Sequence, residues 1–140
     1  MTIGEQQLAV ILQASIERAR ELIEDAGGFL PFGARGKPDG EVEFVEASGL
    51  GKHEPIDEVY RKITAILARD AQRNEILASA MVANAGLPAG FEGGFDTAIA
   101  VLVEAPDFCR SIVVPYRIAA QGVELGQMIP EEAEPAVFAA

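Results

Sequence analysis

Residues 98–103 read Ala, Ile, Ala, Val, Leu, Val, and residues 112–116 carry no polar group except the Tyr116 hydroxyl. Side chains along a strand point alternately to opposite faces, so a strand without polar positions has both faces covered. Ile99, Val101 and Val103 share one face; Phe108, Arg110, Ile112, Val114 and Tyr116 share one face of the next strand. Ala105, Pro106 and Asp107 form the turn between them, too short for a parallel crossover. The chain must therefore build an antiparallel sheet with more apolar surface than a one-sided sheet presents.

The rest of the chain has to supply the cover. Residues 3–26 read as a helix, with Leu8, Ile11, Leu12, Ser15, Ala19, Leu22, Ile23 and Ala26 on one stripe and Gly27 and Gly28 as its stop. Two short strands follow, over 29–35 and 41–46, joined by the turn residues Gly36, Lys37, Pro38, Asp39 and Gly40. Pro31 cannot donate to a ladder, which predicts an edge position or a bulge for the first of them. Pro55 opens a second helix whose stripe is Ile56, Val59, Tyr60, Ile63, Ile66 and Leu67, ending near Arg73. Residues 75–83 lack a polar helical face and read as a strand rather than a continuation of that helix; residues 84–95 become a long glycine-rich connection.

The expected fold is thus α+β, in the order α-β-β-α-β-β-β: an antiparallel sheet of about five strands with both helices on one face. A single domain over residues 1–118 is followed by an acidic segment, 119–140, that holds Glu124, Glu131, Glu132 and Glu134 and no basic residue. A last strand over 123–129 is an open alternative to an extended, partly mobile tail. The second sheet face then needs the tail, the glycine-rich connection or another copy of the chain.

Charge and composition exclude several classes. With 140 residues, about two-thirds of the unfolded surface is buried, enough for a real core. A net charge of −11 repels phosphate backbones and anionic lipid, which argues against nucleic-acid and membrane-surface partners. One Cys permits no intramolecular disulfide, one His no poly-His metal site, and no apolar run is long enough to span a bilayer. The expectation is a cytoplasmic protein without a cofactor.

Phe29, Leu30, Pro31, Phe32 and Gly33 ahead of a hairpin, then Ala98 to Glu104, then Val114, Pro115 and Tyr116, resemble small uncharacterised bacterial α+β proteins. In these a Phe-x-Pro-Phe-Gly strand follows the first helix and a Pro-Tyr ends a late strand. The resemblance spans roughly residues 5–118; it implies the fold class and carries no activity, cofactor or catalytic residue.

Motifs with chemical meaning are few. Gly49, Leu50, Gly51 and Lys52 lack the upstream glycine and the following Ser or Thr of a phosphate loop. His53 has Glu54 adjacent, but neighbouring side chains diverge, and Cys109 starts an apolar strand beside Arg110, so both read as structural rather than nucleophilic. Arg110 and Tyr116 share a strand face with aliphatics while Arg117 points the other way, a composition that fits either an interface or a tyrosine packed beneath a helix. Two function classes follow. One is a non-enzymatic protein-binding module, chaperone-like or inhibitor-like, that forms a homodimer or binds another protein through its sheet. The other is a small-molecule binder or enzyme with a pocket under the 84–95 connection. The residues expected to meet a partner or ligand are Arg35, His53, Arg110, Tyr116 and Arg117.

Overall fold

The computed structural model describes residues 4–46 and 55–138. Helix α1 (Glu5–Ala26) is followed by strands β1 (Phe32–Gly36) and β2 (Val42–Val45), helix α2 (Ile56–Gln72), and strands β3 (Ala78–Gly86), β4 (Thr97–Ala105), β5 (Phe108–Ala119), β6 (Gly122–Leu125) and β7 (Ile129–Glu132). The α-β-β-α-β-β-β order holds for the first seven elements, but the strand expected over 75–83 is found over 78–86, so residues 84–86 belong to it and not to the connection. The α1 stop is also as expected: Gly27 takes φ 81° and returns its N–H to the Ile23 carbonyl at 2.7 Å.

The sheet has seven antiparallel strands rather than five, in the order β2-β1-β3-β4-β5-β6, with β7 also on β5. β6 and β7 share the outer side of β5: Ile118 pairs with Val123, and Ile112 with Pro130. They are two halves of one strand interrupted near Gly126, whose N–H reaches the Pro115 carbonyl at 2.7 Å. β1 is an interior strand, not an edge, because Pro31 lies just before it and no ladder bond is asked of its nitrogen.

The two helices lie on opposite faces, which corrects the expectation of one covered face. Ile11, Ile16, Ala19 and Ile23 of α1 pack with Phe32, Ala34, Ala80, Val82, Ile99, Val101, Val103, Val114 and Tyr116. Val59, Ile63 and Leu67 of α2 pack with Met81 of β3 and with Val137 beyond β7. The physical reason lies in β1, where residues of both parities are small. A Cβ on Gly33 would stand 2.8 Å from Ile63 Cγ2 and 2.9 Å from Leu67 Cδ1; one on Gly36 would stand 3.1 Å from Ala78 Cβ and 3.4 Å from Ile11 Cδ1. Two helices can therefore close on β1 from either side.

The α2 face beyond α2 is covered by the chain's own C-terminal segment, one of the three covers expected. Residues 133–138 return from β7 across β4, and Val137 is buried while Phe138 packs beside it. Glu104 of β4 is fully buried on this face. Among the described residues no helix is long and apolar enough to cross a membrane.

Gly33→Ala tests the three-layer packing. The new methyl meets a β-branched side chain that cannot swing aside, so unfolding by urea is expected to show a loss of about 1–3 kcal/mol. A neutral result would mean that α2 does not hold this distance from the sheet.

Candidate functional site

Among the described residues, those singled out from the sequence do not converge on one site. Arg35, on the α2 face of β1, donates from Nε to Asp70 Oδ2 at 2.7 Å and from Nη1 to Glu43 Oε1 at 2.7 Å. These bonds raise the guanidinium pKa against the opposing effect of its own partial burial. The arrangement ties α2 and β2 to β1. Tyr116 is 3% exposed in the α1 core, and its hydroxyl donates to Asn84 Oδ1 at 2.7 Å. Asn84 Nδ2 in turn donates to Thr97 Oγ1 at 2.7 Å, so three strands share one polar relay. His53 and the Gly49–Lys52 motif lie outside the described residues.

Arg117 leaves β5 on the face opposite Tyr116, as its parity predicts. It binds Glu124 of β6 through both Nε (2.9 Å) and Nη2 (3.1 Å), donates from Nη1 to the Gly93 carbonyl at 2.8 Å, and stands 4.8 Å over the Phe95 ring. Its bonds to Glu124 raise the guanidinium pKa and lower that of the carboxyl. Arg117 thereby fastens the glycine-rich connection, which the structure narrows to residues 87–96 with a 3-10 turn at Glu92–Gly94.

Two further features stand out. The first is the outer margin of the sheet, where β5 meets β6 and β7. On the α1 face a cleft of about 210 Å³ is lined by Leu8, Leu12, Val103, Phe108, Ile112 and Pro130, with Arg110 exposed at its rim. On the other face a groove of about 560 Å³ is lined by Phe91, Phe95, Pro115, Met128, Ile129 and Pro130. Pro130 lines both, so the margin is one apolar rim with two flanks. Phe108 and Met128 are 38% and 48% exposed there. Arg110 is the sequence-chosen residue that this rim includes.

The second is the seat of the C-terminal segment. Glu104 Oε1 accepts the backbone N–H groups of Ala136 (2.8 Å), Val137 (3.0 Å) and Phe138 (3.2 Å), and Oε2 accepts that of Val137 at 3.1 Å. Consecutive N–H groups curved around an anion form a cradle of the kind that binds phosphates and carboxylates. The ladder partner of Glu104 on β3, Ser79, buries a hydroxyl without a hydrogen-bond partner. Burial raises the Tyr60 phenol pKa, and the Glu104 charge raises it further. The Cys109 thiol pKa is raised by burial first and then by Glu104 and Glu134, against the lowering effect of Arg110. In the sequence the run ending in Glu104 reads as a strand that simply stops at an acid, so nothing in it beyond parity singles Glu104 out. Its parity with Ala100 and Leu102, which puts it on a covered face, was the available signal.

Among the described residues no group of three or more His, Cys, Asp or Glu is arranged to hold a metal ion. If Tyr116 serves the fold, Tyr116→Phe is expected to cost about 1 kcal/mol in urea unfolding, the worth of one part-buried hydrogen bond, without changing any association. A variant of unchanged stability and weakened association would return Tyr116 to an interface. No protein-family model, no curated protein and no solved structure matches this chain.

Proposed function

We propose that this chain is a non-enzymatic protein-binding module, chaperone-like or inhibitor-like in that it works by covering a partner's surface, and that it dimerises through its sheet at the β5–β7 margin. The observation that carries the reading is the apolar rim around Pro130, flanked by a cleft on each face and bearing exposed Phe108 and Met128. Contiguous exposed apolar surface with a polar surround is the mark of an interaction site. Glu131, Glu132 and Glu134 supply the polar surround, with Arg110 paired in the ladder opposite Glu132. The polar side chains expected to act on a ligand support the same reading from the other side. Arg35, Tyr116 and Arg117 spend their hydrogen bonds on tying elements together.

Charge sets the terms of association. Two copies at −11 each repel, and that repulsion is screened over about 8 Å at physiological ionic strength. Dimerisation should therefore strengthen with added salt, whereas a basic partner would bind more weakly. Sedimentation at tens of micromolar is expected to show a dimer, with Phe108→Asp and Met128→Asp each weakening it by about tenfold or more. Met128 is the more exposed of the two, so Met128→Asp should move stability by no more than about 0.5 kcal/mol. A wild-type chain that stays monomeric at every salt concentration would sink the dimer.

A second reading, a small-molecule site under the glycine-rich connection, is favoured by one observation: Phe91 and Phe95 wall the larger groove and Arg117 stands over the Phe95 ring. Thermal shift against a metabolite library distinguishes the two. A stabilising compound lost in Phe95→Ala favours the small molecule, and no stabilising compound favours the protein partner.

A further inference from the structure

The cleft on the α1 face of the margin combines apolar walls with one cation. Val103 is buried at its base, and Leu8, Leu12 and Ile112 around it are half-buried. Among the described residues that line it, Arg110 is the only one with a polar side chain. Arg110 also differs from the arginines that hold the fold together. Arg18, Arg20, Arg35, Arg61 and Arg117 each pair with a carboxylate. Among the described residues the Arg110 guanidinium makes no hydrogen bond or ion pair, although Glu132 is its ladder neighbour on β7. In a chain with 11 basic and 22 acidic residues, a guanidinium without a carboxylate has its donors available to a ligand.

We propose that this cleft is a binding site for a free aliphatic carboxylate of medium chain length, with the alkyl chain against Leu8, Leu12, Val103 and Ile112 and the carboxylate on Arg110. The two ends of such a ligand do different work. Burial of the chain supplies affinity, at about a fourfold gain for each methylene removed from water. A carboxylate pair with an exposed arginine adds less, but it decides which end of the ligand faces out, because the planar guanidinium donates to both carboxylate oxygens at once. Size limits the chain. At the roughly 30 Å³ share of one water, a cleft of about 210 Å³ takes about seven methylene-sized groups, the alkyl part of octanoate. A sugar or nucleotide fits poorly, because the apolar walls offer no polar group to replace the water it gives up. All the residues invoked belong to one chain, so the site stands whether or not the margin also meets a protein.

Titration of octanoate into the full-length chain, followed by backbone amide NMR shifts, tests it. Saturable shifts are expected at residues 8–12 and 108–112, with hexanoate binding about tenfold more weakly for its two missing methylenes. Arg110→Gln should weaken octanoate by about threefold to tenfold and leave octanol, which carries no charge, unchanged. Arg110 is exposed, so this variant keeps its fold. Ala9→Phe, on the exposed surface of α1 at the cleft, should block both ligands without disturbing the core. No saturable shift up to low-millimolar octanoate overturns the proposal, and so does octanoate binding that Arg110→Gln leaves untouched. Binding that survives Ala9→Phe and disappears in Phe95→Ala puts the ligand in the larger groove and equally overturns it. None of these readouts depends on self-association, so failure of the dimer and failure of this site are told apart.

Discussion

The closeness of α2 to β1 at Gly33 governs the architecture. Ile63 and Leu67 come near enough to the strand that even a methyl group would collide, whereas a methyl on Gly36 would meet Ile11 of α1 at 3.4 Å from the other side, an ordinary contact. Helices that press on one strand from both faces produce a sheet with two interiors. Each interior then has to be completed across the remaining strands. α1 is long enough to complete the first, running over β3, β4 and β6 as well as β1, while α2 packs mainly on β1 and β3. The rest of the second interior falls to the last residues of the chain, and the Glu104 cradle and Val137 are how they are held.

Much of this order can be read from side-chain periodicity, because it reports local facts. The α1 stripe, the turn at Gly40 with φ 89°, the Pro106-Asp107 turn and the parity of Ile99, Val101 and Val103 are properties of a few neighbouring residues. Parity says which side chains share a face but not which helix arrives there. At β1 that choice turns on Gly33, whose meaning lies in atoms contributed by Ile63 and Leu67 from elsewhere in the chain. The tail was harder still. Its composition of acids, prolines and alanines looks solvated, and its attachment uses backbone N–H groups, which every residue but proline has and no composition reveals. Of the candidate site, Arg110 and Phe108 were placed on the correct strand face. Glu104 and the two sides of the Pro130 rim required the fold.

The polar residues show a division of labour. Arg35 joins two strands to α2, Tyr116 ends a relay through Asn84 and Thr97, and Arg117 binds β6 and the glycine-rich connection together. Arg18 does the same between α1 and the end of the first hairpin, through both oxygens of Glu46. A cation that spans two elements contributes more than an exposed pair on one helix, because fixing it also fixes the elements it touches. In a chain with 11 basic and 22 acidic residues, such use leaves acids in excess at the surface.

That excess bears directly on what the apolar rim can accept. Diffuse negative charge repels a second copy at long range, yet within a Debye length the contact is decided by burial and by the local arrangement of charge. Arg110 opposite Glu132 places both signs on the rim itself, so in the dimer proposed above a twofold axis would bring the Arg110 of each copy toward the acids of the other. Long-range repulsion with local complementarity slows encounter more than it weakens the complex once formed. The Glu104 groove works in the same sense. It neutralises a buried acid with backbone dipoles rather than with a cation-bearing side chain, and so leaves the scarce basic residues to the joints between elements.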